Sequence, residues 1–350
     1  MPTEVWTATD LNNVRNNLSG SYVQMGDIDL SGYANWTPIG KGWTAFTGGY
    51  NGQDYYIENL TVLGADDYLH GLFGYTDGGA ELRNIRFKDA TIDRDGKESR
   101  YVGCLVGWAE NTSIIECSAV GGVSGLDYVG GLFGYADSCM IEKSFYRGPV
   151  IGYFNVGGLI GESYGNTMEI EDCFARGSVD KIADMMTYAP GGFGGLIGAA
   201  GNIALVKNCY AASPVWQGPY TPFAPAPEKS GGLLGISSVG SVADSYYDSD
   251  VSGMSDTGKG DPRTTAEMTH PAASNTYVGW DFTLIWTHDT TYTINAGYPY
   301  LYAVEITFAV HSKISAAWKS GPAWVKVGGA WKKVTDGWCK VGGVWKKIVQ

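Results

Sequence analysis

The segment YVGGLFGYADSCMIEKSFYRGPVIGYFNVGGLIGESYGNTMEIEDCFARGSVDK (residues 128–181) decides the fold, because it contains two successive copies of one repeat. Each copy begins with a Gly-Gly-Leu-apolar-Gly motif, VGGLFG at 129–134 and VGGLIG at 156–161. Intervals of 27 to 37 residues between the leucines of this motif are typical of a repeat architecture. The motif leucines are Leu72, Leu105, Leu132, Leu159, Leu196 and Leu233.

A second element of six residues follows each motif, as in IEKSFY (141–146) and IEDCFA (170–175). A third short element comes next in most copies, for example GPVIG (148–152) and GSVDK (177–181). In five copies of the second element the same position holds a small residue. These residues are Cys117, Ser144, Cys173, Cys209 and Ser245.

These short β-branched and aromatic runs, separated by glycines, predict strands and tight corners. Two or three strands per repeat predict one coil of an all-β parallel β-solenoid (β-helix), whose coils bury their apolar faces by stacking on each other. We expect the glycines to supply positive φ angles at the corners and close approach between coils. The five small residues then form an inward structural ladder. Its thiols are expected to act as small buried apolar groups, with a redox or metal role as the weaker alternative.

The order of the repeat elements resembles that of the GLUG-motif family of β-solenoid repeats, which occurs in bacterial surface proteins and in phage virion proteins. The flanks resemble the same family, at residues 10–63 before the repeats and 263–301 after them. The resemblance implies an N-terminal cap with the first coils at 1–63 and β-solenoid repeats at 64–250. It also implies a closing segment at 251–304, which leaves residues 305–350 as a separate domain.

The N-terminal segment TATDLNNVRNNLSG predicts a short amphipathic helix that caps the open end of the solenoid. Leu11, Val14 and Leu18 lie on one helical face, with Thr9 or Asp10 as the expected N-cap and Gly20 as the stop.

The C-terminal segment contains a shorter repeat, with VKVGGAWKK at 325–333 and CKVGGVWKK at 339–347. Each copy predicts an antiparallel β-hairpin with a Gly-Gly turn. The pairing places Lys and Trp opposite each other across the strands, as Lys326 with Trp331, Trp324 with Lys333, Lys340 with Trp345 and Trp338 with Lys347. This segment resembles the Trp/Lys "KVGG.WK" repeats at the C-termini of tailed-phage virion proteins.

Charge is distributed unevenly along the 350 residues, whose formal net charge is −12. Residues 301–350 contain 8 lysines and 2 acidic residues, so the rest of the chain is strongly acidic. An acidic body argues against nucleic acid as a partner. The first residues lack the basic and apolar regions of a secretion signal, which predicts that the general export route is not used. The uncharged stretch at 185–206 fits the repeat, so no membrane insertion is expected.

Catalytic, metal and cofactor sites are not predicted. Acidic pairs such as Asp27 and Asp29 have the composition that a glycosidase needs, but they lie in turn-like contexts. The six cysteines and four histidines show no metal-ligand spacing. Candidate contacts with a ligand or partner are instead aromatic and basic: Trp216, Tyr220, Phe223, Trp324, Trp331, Trp338, Trp345, Lys326 and Lys340. Packing of these side chains within the protein or on a neighbouring subunit is the alternative.

Together these features predict a non-enzymatic phage virion protein, a tail fibre, spike or capsid decoration protein that adheres to the host surface. Its expected partners are other virion proteins and host cell-surface glycan, and trimers are expected by analogy with other fibres. A bacterial cell-surface adhesin is the first alternative. A polysaccharide-degrading enzyme resembling a tailspike is the second.

Overall fold

Short parallel β-strands dominate the regular secondary structure of the chain in the computed structural model. The structure describes residues 1–42, 44–63, 68–93, 99–182, 191–217 and 229–302, and the backbone of four strands between 324 and 347. Three parallel sheets, called sheets 1, 2 and 3, hold nearly all the strands of residues 1–263.

Sheet 1 contains two rows of strands, and both rows pair with one long strand, β25 (Ile197–Lys207). Its strands are β1 (Thr3–Val5), β2 (Ser21–Gln24), β4 (Gly49–Asn51), β7 (Phe73–Thr76), β8 (Glu81–Arg83), β11 (Val106–Glu110), β12 (Ser113–Ile115), β15 (Phe133–Asp137), β16 (Met140–Glu142), β20 (Ile160–Tyr164), β21 (Glu169–Glu171), β25 (Ile197–Lys207) and β28 (Leu234–Ala243).

Sheet 2 is formed by the residues that open each repeat motif. Its strands are β10 (Arg100–Val102), β14 (Asp127–Gly130), β19 (Phe154–Gly157), β24 (Phe193–Gly194) and β27 (Ser230–Gly231).

Sheet 3 is formed by the last residues of the second element of each repeat and by the third element. Its strands are β3 (Ile28–Asp29), β5 (Tyr56–Glu58), β6 (Thr61–Leu63), β9 (Arg86–Asp93), β13 (Ser118–Ser124), β17 (Phe145–Arg147), β18 (Val150–Gly152), β22 (Phe174–Arg176), β23 (Val179–Lys181), β26 (Tyr210–Ala212), β29 (Tyr246–Asp248) and β30 (Asp261–Arg263).

The pairing register joins equivalent residues of successive repeats. Val106 pairs with Phe133, Phe133 with Ile160, and Ile160 with Ile197. The second element behaves in the same way, since Ile141 pairs with Ile170. Each repeat therefore stacks directly on the next, and the parallel β-fold predicted from the repeat spacing is confirmed.

One apolar core runs through the stack, from Val5 near the N-terminus to Tyr247 in the last repeat. The six motif leucines are fully buried in it. The five ladder residues are also buried, as the sequence predicts, and their cysteines are free thiols. Burial raises the pKa of Cys117 to about 12, so this thiol stays protonated at neutral pH.

The corner before each ladder residue is made by a residue other than glycine with a positive φ. Glu116, Lys143, Asp172, Asn208 and Asp244 have φ between 46° and 57°, and Asn84 has the same conformation before Ile85, the equivalent position of the first repeat.

The ladder side chain closes this corner by donating to the carbonyl two residues earlier. Ser144 Oγ donates to the Glu142 carbonyl at 2.8 Å, and Cys209 Sγ donates to the Lys207 carbonyl at 3.1 Å. A small donor at this position therefore supports the bend, as Ser and Thr hydroxyls do in local turns.

Glycine has a narrower role at the corners than the sequence suggests. Gly148 and Gly177 do have positive φ, but the motif glycines Gly130 and Gly131 do not. A Cβ atom on Gly131 would lie 2.1 Å from the Tyr146 ring. The predicted close approach is thus confirmed at the motif glycines, whereas the predicted positive φ occurs at glycines such as Gly148 and Gly177 and not at Gly130 or Gly131.

The N-terminal helix begins two to three residues earlier than expected. Helix α1 spans Ala8–Asn13 and continues into a 3₁₀ helix at Val14–Asn16. The N-cap is Thr7, not Thr9 or Asp10. The Asp10 side chain instead accepts the Thr7 backbone N–H at 3.0 Å and completes a capping box. Leu11 is buried, as predicted for the apolar face.

The segment after the repeats packs on the outer face of sheet 3. It includes helices α2 (Ser249–Ser252) and α3 (Thr265–Met268) and the antiparallel pair β31 (Trp286–Thr287) and β32 (Tyr300–Leu301). It covers a row of rings on sheet 3, here called the covered ladder, which consists of Phe145, Phe174, Tyr210 and Tyr246.

Rings of the covered ladder stack face to face, with centroids 4.6 Å apart for Phe145 and Phe174 and 5.0 Å apart for Phe174 and Tyr210. Trp286 packs against them, and its Nε1 donates to Asp172 at 2.9 Å. These residues form a second apolar cluster outside the main core.

Two antiparallel strand pairs near the C-terminus are β33 (Trp324–Val327) with β34 (Ala330–Lys333), and β35 (Trp338–Val341) with β36 (Val344–Lys347). Their register sets Trp324 opposite Lys333 and Lys340 opposite Trp345, as the sequence predicts.

Candidate functional site

A cluster of partly exposed aromatic residues lies where sheets 1 and 2 meet. Tyr75, Trp108 and Tyr135 occupy neighbouring register positions on β7, β11 and β15 of sheet 1. Tyr101 and Tyr128 lie side by side on β10 and β14 of sheet 2. Together with Phe154, these six residues are called the aromatic surface below, and each is partly exposed.

The rings of the aromatic surface contact one another across the two sheets. Tyr101 and Tyr128 are stacked, with centroids 4.8 Å apart and planes 5° apart. Trp108 lies 4.8 Å from Tyr101 and 4.6 Å from Tyr135. Because each ring contacts at least one other ring of the aromatic surface, the array is fixed before any ligand arrives.

The last glycine of the repeat motif brings the two rows of rings together. A Cβ atom on Gly134 would lie 2.3 Å from the Tyr101 carbonyl carbon. A Cβ atom on Gly107 would lie 2.7 Å from the Tyr101 carbonyl oxygen. Since any larger residue would separate sheet 1 from sheet 2, these glycines set the spacing of the rings.

Carboxylates border one side of the aromatic surface. The Tyr75 hydroxyl donates to Glu110 Oε2 at 2.9 Å and also lies near Asp77. Burial raises the pKa of Tyr75, and the nearby Glu110 and Asp77 raise it further. The Tyr75 hydroxyl is therefore protonated throughout the physiological range.

Glu162 lies at the other end of the aromatic surface, paired in register with Tyr135. Its Oε2 accepts a hydrogen bond from the Asn155 side-chain amide. Burial raises the pKa of Glu162, an effect that the hydrogen bond from Asn155 partly offsets. Burial, followed by the charge of Glu162, raises the pKa of Tyr128 to about 12.

This arrangement combines flat ring faces with hydrogen-bonding groups at the rim. Ring faces are negative at their centres and favour C–H groups, whereas carboxylates and amide oxygens accept hydrogen bonds. The surface is suited to binding a ligand by stacking and hydrogen bonding.

Of the predicted contact residues, Trp216 is partly buried against the repeats. Its ring lies 5.0 Å from that of Phe193, and Lys181 Nζ lies 5.7 Å from its centre. Tyr220 and Phe223 lie outside the described residues. The tail residues Trp324, Trp331, Trp338, Trp345, Lys326 and Lys340 lie on the described hairpin strands. The structure brings none of these together with the aromatic surface in any described contact.

The sequence contained a signal for the aromatic surface. The residue directly after the motif is Tyr75, Trp108 and Tyr135 in three successive repeats, and Glu162 in the next. Only the register shows that these residues are neighbours and that a sheet 2 row of tyrosines lies beside them.

A recess lies in the segment after the repeats. It has a volume of about 230 Å³ and is lined by residues that include His270, Tyr277 and His288. The His288 ring stacks on Phe282 with centroids 4.0 Å apart, and burial lowers its pKa, with a smaller effect from His270.

Acidic pairs noted in the sequence have structural partners where they are described. Asp27 accepts the Tyr56 backbone N–H at 2.8 Å, and Asp29 accepts from Ser31 and from the Asn59 amide. These carboxylates connect neighbouring loops of the stack.

No protein-family model matches the chain. A 102-residue part is 40% identical to a "Putative Gly-rich membrane protein" of Evansella cellulosilytica, and this match covers 27% of the chain and 10% of that protein. The chain thus spans about a tenth of the length of that relative.

A solved structure described as a "putative immunoglobulin A1 protease" from Bacteroides ovatus has the same fold. It superposes with a TM-score of 0.65 over 86% of this chain and 92% of that chain, at 22% identity. A structure described as "IgA1 Protease" aligns with 69% of this chain and 19% of its own, with a TM-score of 0.47 and 20% identity. Among the residues that the structure describes, no helix has the length and apolar character needed to cross a membrane.

Proposed function

We propose that the chain is a parallel β-solenoid with an N-terminal helical cap and a small C-terminal hairpin domain, and that it is a rigid structural protein of adhesion. The observation that carries this proposal is the constant register, in which equivalent residues of successive repeats pair side by side. A stack with one continuous core resists bending because each coil is hydrogen-bonded to both neighbours. Such a scaffold can present side chains at fixed spacing to another surface.

The proposed setting is a phage virion, in which the protein serves as a tail fibre, spike or capsid decoration protein with other virion proteins as partners. The KVGG.WK resemblance of the C-terminal repeats supports this setting. The sequence alternation of Trp and Lys in both hairpins supplies aromatic groups and positive charges for contact with an acidic partner surface.

A bacterial cell-surface adhesin is the second candidate. The 40% identity to a bacterial protein whose description includes the words "membrane protein" favours it. The same scaffold would serve either setting, since adhesion needs only a rigid body and an exposed contact surface.

Localisation by antibody separates the two settings. Antibody against this chain is applied, with gold detection, to purified phage particles and to intact cells of the strain that encodes the chain. We expect label on particles, at the tail if the protein attaches to the host and over the head if it decorates the capsid. Label confined to the cell surface would replace the virion setting with the bacterial adhesin. Label on neither would overturn the proposed adhesive function.

A further inference from the structure

We propose that the aromatic surface is the adhesive contact of this protein and binds a neutral polysaccharide. The inference rests on the proposed adhesive function and adds the site and the class of ligand. Its six rings are Tyr75, Tyr101, Trp108, Tyr128, Tyr135 and Phe154.

The first argument is the geometry of the rings. They are partly exposed, yet each is held within 4.6 to 6.3 Å of another ring on strands whose spacing is fixed by the sheets. Rigid aromatic side chains lose little conformational entropy on binding. A sugar ring presents a flat face of C–H groups, which pack on the negative face of an aromatic ring.

The second argument concerns the backbone beneath the rings. Strand β11 is paired with both β7 and β15, and β14 is paired with both β10 and β19. An extended peptide would bind a sheet by adding a strand to an open edge. The end strands β7 and β10 are bridged on their outer sides as well, β7 by Ile39 and Phe46 and β10 by His70. Because no open strand edge lies under the described rings, a ligand here is recognised by side chains alone.

The third argument is charge. Glu110 and Asp77 lie beside the Tyr75 hydroxyl, and Glu162 lies beside Tyr135 and Tyr128. Carboxylates repel anionic ligands such as nucleic acid or acidic polysaccharide, whereas they accept hydrogen bonds from hydroxyl groups. A hydroxyl-rich, uncharged chain satisfies both the ring faces and the rim.

The test begins with the full-length protein on a printed array of neutral and anionic bacterial polysaccharides. The strongest neutral glycan is then titrated calorimetrically into wild type and variants. Trp108→Ala removes the central ring, and Trp108→Leu keeps most of the side-chain volume in case the alanine variant unfolds. Trp6→Ala is the control, because Trp6 is 55% exposed and lies in the N-terminal segment.

We expect a neutral glycan to bind, with at least about a tenfold loss of affinity in the Trp108 variants, which corresponds to about 1.4 kcal/mol. Trp6→Ala should bind as wild type does. Binding only to anionic glycans, binding to no glycan, or unchanged affinity in a folded Trp108 variant would each overturn the inference. So would loss of an oligomer in Trp108→Leu during sedimentation, because the rings would then form a subunit interface.

Failure of the inference can be distinguished from failure of the proposed function. Gold label on particles or cells without glycan binding would keep the adhesive function and reject this site. Glycan binding that depends on Trp108, without label on particles or cells, would keep the glycan site and reject the proposed adhesive function.

Discussion

The covered ladder and the aromatic surface are both rows of rings built by stacking equivalent residues of successive repeats, but they differ in exposure. Phe174 and Tyr210 of the covered ladder are fully buried beneath the segment that follows the repeats. Trp108 and Tyr135 of the aromatic surface remain partly exposed. The comparison shows that repetition generates ladders of rings, and that packing of a later segment decides whether a ladder stabilises the fold or stays accessible to a ligand.

The largest expected difference is in stability. Trp286→Ala should lower the free energy of unfolding by about 3–5 kcal/mol, because it leaves a cavity over the covered ladder and removes the hydrogen bond to Asp172. Trp108→Ala should cost only about 1 kcal/mol, since its ring is partly solvated in the folded state. Urea unfolding followed by circular dichroism measures both. Equal losses of unfolding free energy in the two variants would mean that the covered ladder stabilises the fold no more than the aromatic surface does.

The close approach of sheets 1 and 2 gives a second prediction. Gly134→Ala should destabilise by about 1–3 kcal/mol, because the new Cβ would lie 2.3 Å from the Tyr101 carbonyl carbon. It should also weaken glycan binding by separating the rows of rings. Gly122→Ala is the matched control, as its Cβ would meet only Pro149 at 3.9 Å. We expect the control to stay within about 0.5 kcal/mol of wild type.

The pH dependence of stability tests the environment of Glu162, which lies at one end of the aromatic surface. Burial raises the pKa of Glu162 above its ordinary value of 4.5, so the folded protein holds this proton more tightly than the unfolded chain. Its contribution to stability is therefore greatest below pH 4.5 and is lost as pH rises through the folded pKa. Glu162→Gln should remove this loss, so that the variant gains stability relative to wild type as pH rises.

Glu267 is a control of opposite sign for the pH series. Hydrogen bonds from the Thr264 backbone and side chain lower the pKa of Glu267 below 4.5. Its contribution is present above pH 4.5 and is lost on acidification, so Glu267→Gln should lose stability relative to wild type as pH rises. Thermal unfolding midpoints between pH 3 and pH 8 record both trends. Parallel pH profiles for the two variants would contradict the opposite directions of the pKa shifts of Glu162 and Glu267.

The smallest effects are expected at the inward ladder. Cys209→Ser should change the free energy of unfolding by less than about 1 kcal/mol, because a hydroxyl can also donate to the Lys207 carbonyl and serine already occupies this position at Ser144 and Ser245. Cys209→Val should cost about 1 kcal/mol more, since it has no donor. Urea unfolding of the two variants measures the difference. A serine variant less stable than the valine variant would show that the hydrogen bond is unimportant.

Much of the fold could be predicted from the repeat, because buried leucines and small corner residues recur at positions that stacking makes equivalent. Cys117 and Cys173 are buried as predicted. The corners are harder to predict from the sequence, because glutamate and lysine, as at Glu116 and Lys143, rarely adopt a positive φ. The N-cap at Thr7 is set locally, because Thr7 and Asp10 form a capping box, and assigning the cap to Thr9 or Asp10 misses this motif.

The candidate site was less accessible to sequence reasoning. Sequence composition favours aromatic residues outside the repeat elements, such as Trp216, as contact residues, because loops often carry binding residues. The rings of the aromatic surface lie on regular strands, and Tyr101 and Trp108 become neighbours only through pairing between sheets. Proximity of this kind is set by tertiary structure.

The register has a consequence for how such a molecule changes in evolution. Val106, Phe133 and Ile160 are each 27 residues apart and pair side by side. A recombination event that duplicates or deletes one such unit joins equivalent positions, so every remaining strand keeps a matching neighbour. The number of repeats can thus change one at a time, and each change adds or removes one set of stacked rings. Selection can therefore act on the length of the stack separately from the chemistry of its surface.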